Sequence, residues 1–404
     1  MMRVRVYQQL KNVYHFCQAH WWQIYFGWPD RGIKIYGVTG TNGKTTTCYV
    51  LASILREAYG RDKVGMLTTV GIWIGEEESI NETKMTTTDS KEVYRCLWRM
   101  RKKGVKHVVL EVTSHALDQN RLAGLQMEGA IILNIEREHL DYHKTMEEYG
   151  KAKARIADCV KVGSPVVVNK EFLISNLKFS LNLKFSKTRL IKFSAGEAEV
   201  VVTPLPGDFN KENVLAARLL ARAVGVKEDA VARGVAAVKN VPGRMEWIDP
   251  QFSKGLPRVL IDYAVTPGSL ERLYRYVRKE TSGKIFAVLG AAGERDRGKR
   301  PLMAKAVAKY ADEVVLTRED PWTENEEQIF KDLEQGLAPQ SPEGEVGWRR
   351  IPDRREAIKY ALEKAKDGDV VVVTGKGAET GMGVGKEIVS WNDREIIEEL
   401  LALC

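Results

Sequence analysis

Along most of the chain, short β-branched runs alternate with stretches of helical periodicity. The pattern predicts a strand over 33–39 and a helix over 44–58. The same pairing recurs as strands at 64–69, 107–112, 130–135 and 165–169, with helices at 90–103, at about 145–159 and at 211–224. Strands separated by helices predict a parallel sheet clothed on both faces. After Val241-Pro242-Gly243 the series restarts, with strands at 259–263, 285–289, 314–317 and 370–374 and helices between them. The Pro-Gly pair marks a boundary near 241, so the chain reads as α/β with two sheets.

Two stretches break the rhythm. Between 172 and 194 the segment Asn176-Leu177-Lys178-Phe179-Ser180 recurs as Asn182-Leu183-Lys184-Phe185-Ser186. Lysine alternating with apolar residues predicts exposed antiparallel strands. Residues 1–32 hold Trp21, Trp22 and Trp28, three of the nine tryptophans, with Tyr14, Phe16, Tyr25 and Phe26.

Length and composition narrow the classes. The chain's 404 residues imply two or three domains. Apolar residues at 44% and charged residues at 29% exclude a disordered chain. No apolar run approaches the ~20 residues of a membrane span, and the N-terminus lacks a secretory signal, so a cytoplasmic protein is expected. Cys17, Cys48, Cys96, Cys159 and Cys404 are scattered without metal-ligand spacing. The net charge of +8 suits either nucleic acid or an anionic small substrate.

The decisive segment is Gly37-Val38-Thr39-Gly40-Thr41-Asn42-Gly43-Lys44-Thr45-Thr46. Strand, glycine-rich turn, Lys-Thr and helix is the order a nucleotide phosphate site requires. Gly40, Thr41, Asn42, Gly43 and Thr46 would cradle phosphates, Lys44 would reach the terminal ones, and the Thr45 hydroxyl would hold Mg²⁺. The spacing departs by one residue from the usual loop, since Gly37 lies six before Gly43.

These residues resemble the ATP loop of the Mur ligases, and the resemblance runs from about residue 33 to the C-terminus. Within that family the chain is most similar to the branch that adds the third residue of the muramyl peptide. The resemblance implies a central phosphate-loop ATPase domain over 33–240 and a C-terminal Rossmann-like α/β domain over 241–404, behind an aromatic segment over 1–32. It also implies that ATP, with two Mg²⁺, activates a carboxylate as an acyl phosphate, which an amino acid then captures.

Glu111-Val112-Thr113-Ser114-His115 and Asn134-Ile135-Glu136-Arg137-Glu138-His139 are similar to the family's metal segments. On that match Glu111, His139 and Lys153 join Thr45 as metal-side groups. Lys153 matches a lysine carbamylated by CO₂, a reaction that needs the neutral amine of a group whose ordinary pKa is ~10.4. The match makes Asn210 and Asn213 base-proximal, Arg244 a phosphate contact and Asp262 a ribose contact. Catalysis would fall to Lys44, Glu111, His139, Lys153 and Arg244. Thr86, Thr87, Thr113, Ser114, Gln119 and Arg121 match acceptor-holding positions, with helix capping a rival for Thr86 and Thr87.

In the second lobe, Gly293-Glu294-Arg295-Asp296-Arg297-Gly298-Lys299-Arg300-Pro301 offers arginines for a carboxylate. Arg295 is the choice, with Gly375 and Glu379 facing the far end of the incoming side chain. Acidic residues inside this basic cluster argue against nucleic acid. Where diaminopimelate-adding enzymes carry Asp-Asn-Pro-Arg, this chain has Glu319-Asp320-Pro321-Trp322. Asp320 and Trp322 are candidate contacts, and Trp322 cannot replace a bidentate guanidinium, so lysine or another amino acid without a second carboxylate is expected, with Glu319 and Glu379 available to a side-chain amine.

Only 36 residues precede Gly37, too few for the UDP-binding domain of about 100 residues that family members carry. The acceptor is then held through its peptide and sugar, or its carrier is not UDP. Residues 14–28 suggest packing against the central lobe or a partner chain, or else a peripheral membrane contact. The alternatives in function are a lipid-precursor amidating subunit, a folate or poly-amino-acid ligase, and a non-catalytic nucleotide-dependent binding module. Oligomeric state is left open by the sequence.

Overall fold

The β-branched runs that dominate the pattern form the middles of two sheets. The computed structural model describes residues 2–81, 83, 86–176, 185–248, 255–337 and 347–403. The chain divides into two units, Met1–Ile135 with Thr145–Lys239, and Glu136–Lys144 with Asn240–Cys404.

The first unit holds an eight-stranded sheet. Its strands are β1 (Lys34–Thr39), β2 (Val64–Leu67), β3 (Gly71–Ile74), β4 (Glu77–Ile80), β5 (His107–Glu111), β6 (Met127–Ile132), β7 (Pro165–Asn169) and β8 (Arg189–Phe193). They lie in the order β4-β3-β2-β5-β1-β6-β7-β8. Pairing is parallel from β2 to β8, and β3 and β4 turn back antiparallel at the edge. β5 is buried at every position and β1 at all but its first, as strands covered on both faces are. Three helices matter below: α1 (Met2–Tyr25), α2 (Lys44–Tyr59) and α3 (Ser90–Lys102). No described helix is long and apolar enough to cross a membrane.

The second unit holds a six-stranded sheet of β9 (Glu246–Ile248), β10 (Arg258–Asp262), β11 (Ile285–Leu289), β12 (Glu313–Leu316), β13 (Gly347–Arg350) and β14 (Val370–Thr374). The order is β13-β12-β11-β14-β10-β9, parallel except for β9. A hairpin of β15 (Gly381–Val384) and β16 (Glu387–Ser390) stands apart.

Three expectations shift. The strand expected at 130–135 is β6, Met127–Ile132, because Glu128 and Gly129 hide its start in the hydrophobic pattern. The helix expected at 145–159 spans Met146–Ala154 and continues as a 3₁₀ turn to Cys159. The segment expected to form exposed antiparallel strands begins instead as a helix, Lys170–Asn176. It ends as β8, which pairs parallel with β7. An edge strand exposes one side, so its alternation looks like that of a hairpin. The repeat's residues 177–184 and Cys404 lie outside the described residues.

A buried ion pair locks the C-terminal helix Asp393–Ala402 in place. Arg354 donates to both carboxylate oxygens of Asp393 at 2.8 and 2.7 Å and to the Thr374 carbonyl at 2.8 Å. Both partners are fully buried. Arg354→Met, which strands the carboxylate in the core, should cost about 3–5 kcal/mol. The double variant Arg354→Met/Asp393→Leu should recover most of that loss, as urea unfolding of the three proteins would measure.

Candidate active site

β1 runs out at Thr39, and the turn to α2 is held from behind by side chains. Lys153 Nζ donates to the Gly40 carbonyl at 2.7 Å, Lys44 Nζ to that of Thr41 at 2.9 Å, and Asn134 Nδ2 to that of Asn42 at 3.1 Å. The Asn42 N–H donates to Asn134 Oδ1 at 2.8 Å, and that of Thr41 to the Asn134 carbonyl at 2.9 Å. Each loop carbonyl is thus tied down by a side chain. Gly43 sits at φ 83°, and a Cβ there would lie 2.0 Å from Asn213 Oδ1, so only glycine fits. It caps α2 with no side-chain hydrogen bond. A 16-residue helix opening this way concentrates N–H groups and positive potential where an anion can sit.

Beside this turn, Thr45 Oγ1 donates to Glu111 Oε2 at 3.0 Å, and the Thr69 N–H reaches the same oxygen at 3.0 Å. Glu111 ends β5, next to β1, and is buried. A hydroxyl and a carboxylate this close are hard oxygen donors of the kind Mg²⁺ takes, with phosphate oxygens and water completing the shell. No group of three His, Cys, Asp or Glu suited to a metal occurs among the described residues. The pair fits an ion that also takes phosphate oxygens. Lys153 is buried, its Nζ 4.5 Å from the centre of the Tyr149 ring, whose hydroxyl meets Thr41 Oγ1 at 3.1 Å.

Asn210 and Asn213 lie on the first turns of the helix Asp208–Ala223, joined by a 3.0 Å hydrogen bond. Gly207 is the cap, so Asn210 is not one. The acceptor candidates form a linked group. Thr87 Oγ1 donates to the Glu111 carbonyl and accepts from the Thr113 N–H, both at 2.9 Å. Arg121 donates to Gln119 Oε1 at 2.8 Å and to the Thr87 carbonyl at 3.2 Å. Thr69 donates to Thr86 at 2.9 Å. The cap of α3 is Asp89, not Thr86 or Thr87, whereas Thr113 does cap the short helix that begins at Ser114.

His139 falls in the second unit, with residues 136–144. Three consecutive ion pairs fix that segment there. Glu136 meets Arg272 at 2.6 Å, Arg137 meets Asp296 at 2.9 Å, and the buried Glu138 takes Lys299 at 2.9 and 3.1 Å. The basic loop also spends its arginines internally. Arg297 pairs with Asp332, and the fully buried Arg300 pairs with Glu324 and Asp332. Arg295 is left exposed. Arg244 lies 4.4 Å over the Tyr263 ring, and Asp262 accepts the Met245 N–H at 2.7 Å.

The remaining candidates gather past the carboxyl end of β12. The buried Lys376 Nζ donates to both oxygens of Asp320 at 2.9 Å and to Glu379. The Gly383 N–H also donates to Asp320, at 2.6 Å. The Trp322 indole covers Gly383, where a Cβ would come within 2.5 Å of the ring. Glu319 lies against Gly375. Among the described residues, its Oε2 has no hydrogen-bond partner. Burial first, then Asp320, pushes the Glu319 carboxyl up to about 7, against the opposing pull of Lys376. Glu379 and burial likewise raise the Tyr263 phenol.

Sequence reasoning missed Asn134, Lys376 and Thr69 as site-builders. Asn134 and Lys376 stand inside segments whose pattern was recognised, and their neighbours drew the attention. Thr69 had no signal beyond ending a strand.

The Mur ligase middle domain family matches residues 38–221, and the Mur ligase glutamate ligase domain family matches 243–377. A UDP-N-acetylmuramoyl-L-alanyl-D-glutamate–2,6-diaminopimelate ligase of Geobacillus thermodenitrificans is 36% identical, covering 92% of this chain and 79% of its own. A UDP-N-acetylmuramyl-tripeptide synthetase of Roseiflexus sp. is 36% identical, covering 94% and 80%. A solved 2,6-diaminopimelate ligase superposes with a TM-score of 0.56 at 30% identity, covering 92% and 79%.

The Glu319 carboxyl yields a test of this geometry. The unfolded chain loses that proton near pH 4.5, and the folded chain keeps it to about pH 7. Stability should therefore fall as pH rises between those values, by on the order of 1–3 kcal/mol. Glu319→Gln should flatten that fall in chemical denaturation across pH 4.5 to 8.

Proposed function

The chain belongs to the Mur ligase family of ATP-dependent ligases, and from that premise we propose that it adds an amino acid to the D-glutamate carboxyl of a muramyl-dipeptide precursor. The observation that carries this reading is the braced phosphate turn beside the Thr45–Glu111 pair. Such a turn orients a triphosphate, with Lys44 and the N-terminus of α2 on the transferring phosphoryl group. Mg²⁺ held by Thr45 and Glu111 would supply charge neutralisation on the phosphates. The acceptor carboxylate attacks the γ-phosphorus, giving an acyl phosphate and ADP. The amino group then attacks the acyl carbon, and phosphate leaves as the amide forms. Thr87, Thr113, Gln119 and Arg121 are suited to hold peptide and carboxylate oxygens of the acceptor. Carbamylation of Lys153, which adds CO₂ to the neutral amine with loss of a proton, rests on the motif match, as do the roles of His139, Arg244 and Asp262.

For the incoming amino acid we infer a side chain ending in an ammonium. Asp320 and Glu379 hold the Lys376 ammonium, Lys376, Arg354 and Lys299 all act on the neighbouring Glu319, and Glu319 carries an oxygen with no partner among the described residues. Trp322 supplies no cation for a second carboxylate. This departs from what the names of the diaminopimelate ligases say of those proteins.

Phosphate release across a panel of amino acids, with UDP-linked and lipid-linked muramyl dipeptides, tests both parts. Lysine should turn over at least about tenfold faster than diaminopimelate, and comparable rates would reject the ammonium reading. Trp322→Arg should shift the ratio toward diaminopimelate. Lys44→Ala should cut turnover by on the order of 10²–10³; retention of full turnover would remove the phosphate turn from the reaction.

A further inference from the structure

Among the described side chains of α1, from Lys11 on, one side is packed and the other is open. Ala19 and Gln23 are buried, Gln23 donates to the Gly124 carbonyl at 3.1 Å and to Asp30 at 3.2 Å, and the Phe26 ring stands 6.0 Å from Trp98 of α3. The other side presents Val13, Tyr14, Phe16, Trp21, Ile24 and Tyr25, with Trp21 62% and Tyr25 66% exposed. Between Lys11 and Asp30 there is no Lys, Arg, Asp or Glu. In a chain with 29% charged residues, that is a long uncharged surface to leave in water.

The neighbour of this stripe is cationic. α3 packs alongside α1 and exposes Lys91, Arg95, Arg99, Arg101 and Lys102, with Glu92 its one acid. Lys91 Nζ lies 5.1 Å over the Trp22 ring, and Arg101 donates to the carbonyls of Gly27 and Trp28 at 2.9 and 3.0 Å. Lys91 and Arg101 therefore lie against α1 and the turn that follows it.

We propose that α1 lies in the headgroup layer of an anionic lipid surface, with its aromatic stripe at the acyl boundary and the cations of α3 on lipid phosphates. Indole and phenol rings have an apolar body and a polar tip, which suits them to that boundary. A helix with one apolar side and basic residues beside it lies in the interface plane. A second copy of the chain fits less well, because a two-fold contact through the stripe would bring the two cationic α3 rows together.

The test is co-sedimentation of the full chain with vesicles of phosphatidylcholine alone and of equal parts phosphatidylcholine and phosphatidylglycerol. Recovery is expected with the anionic vesicles, falling as salt rises. Trp21→Glu/Tyr25→Glu should weaken binding at least tenfold, and Lys91→Glu on the order of fivefold or more. Both variants should keep wild-type ATP turnover, which establishes that they fold. Brominated lipid should quench the tryptophan emission of the wild type and not that of the double variant. Equal recovery with both vesicle types, or none with either, overturns the proposal. So does a dimer in sedimentation equilibrium that Trp21→Glu disperses in a protein indifferent to vesicles, which would assign the stripe to a second copy.

Discussion

A turn that binds phosphate must offer its amides to the ligand and keep its carbonyls out of the way. Backbone left to itself does not sort its dipoles so, because each peptide carries both groups. Here Lys153, Lys44 and Asn134 each hold one successive carbonyl, and Asn134 also takes the N–H groups of Thr41 and Asn42, so the amides presented are those at the start of α2. Glu111 and Asn213 bracket the same turn from β5 and from the helix Asp208–Ala223. Those elements are placed by the buried parallel strands, so the sheet's packing energy becomes the rigidity of the site. The tie from Lys153 also gives that lysine a definite place.

The second unit solves a different electrostatic problem. Its arginine-rich loop neutralises itself through Asp332 and Glu324, and its buried acids cluster around Lys376. Glu319, Asp320 and Glu379 bring three acids close together, and the Glu319 carboxyl is raised by burial first and by Asp320 second. A cationic side chain entering there would relieve their mutual repulsion, whereas a second carboxylate would add to it.

Much of this was legible in the sequence, for identifiable reasons. Strands such as β1, β5, β11 and β14 are buried runs of β-branched residues, and their hydrophobicity is continuous. β3, β4 and β13 are short strands at or next to a sheet edge with Gly or Glu at their starts, and nothing in their periodicity separates them from loops. The phosphate turn was readable because its chemistry demands glycine and Lys-Thr at fixed spacing. Asn134 was not, because a carbonyl brace can come from any polar residue the topology brings near. The assignment of residues 136–144 to the second unit was hidden for the same reason. It rests on ion pairs with Arg272, Asp296 and Lys299, more than 130 residues further along.

The central claim is that the acceptor acid is activated by direct phosphoryl transfer. It is met most directly by supplying a muramyl dipeptide whose D-glutamate carboxyl carries oxygen-18, with ATP and lysine, and weighing the released phosphate by mass spectrometry. Passage through an acyl phosphate places one labelled oxygen in each phosphate and leaves the other in the amide. Unlabelled phosphate, with the second labelled oxygen released into water as the amide forms or with both still on an unreacted carboxyl, would contradict it.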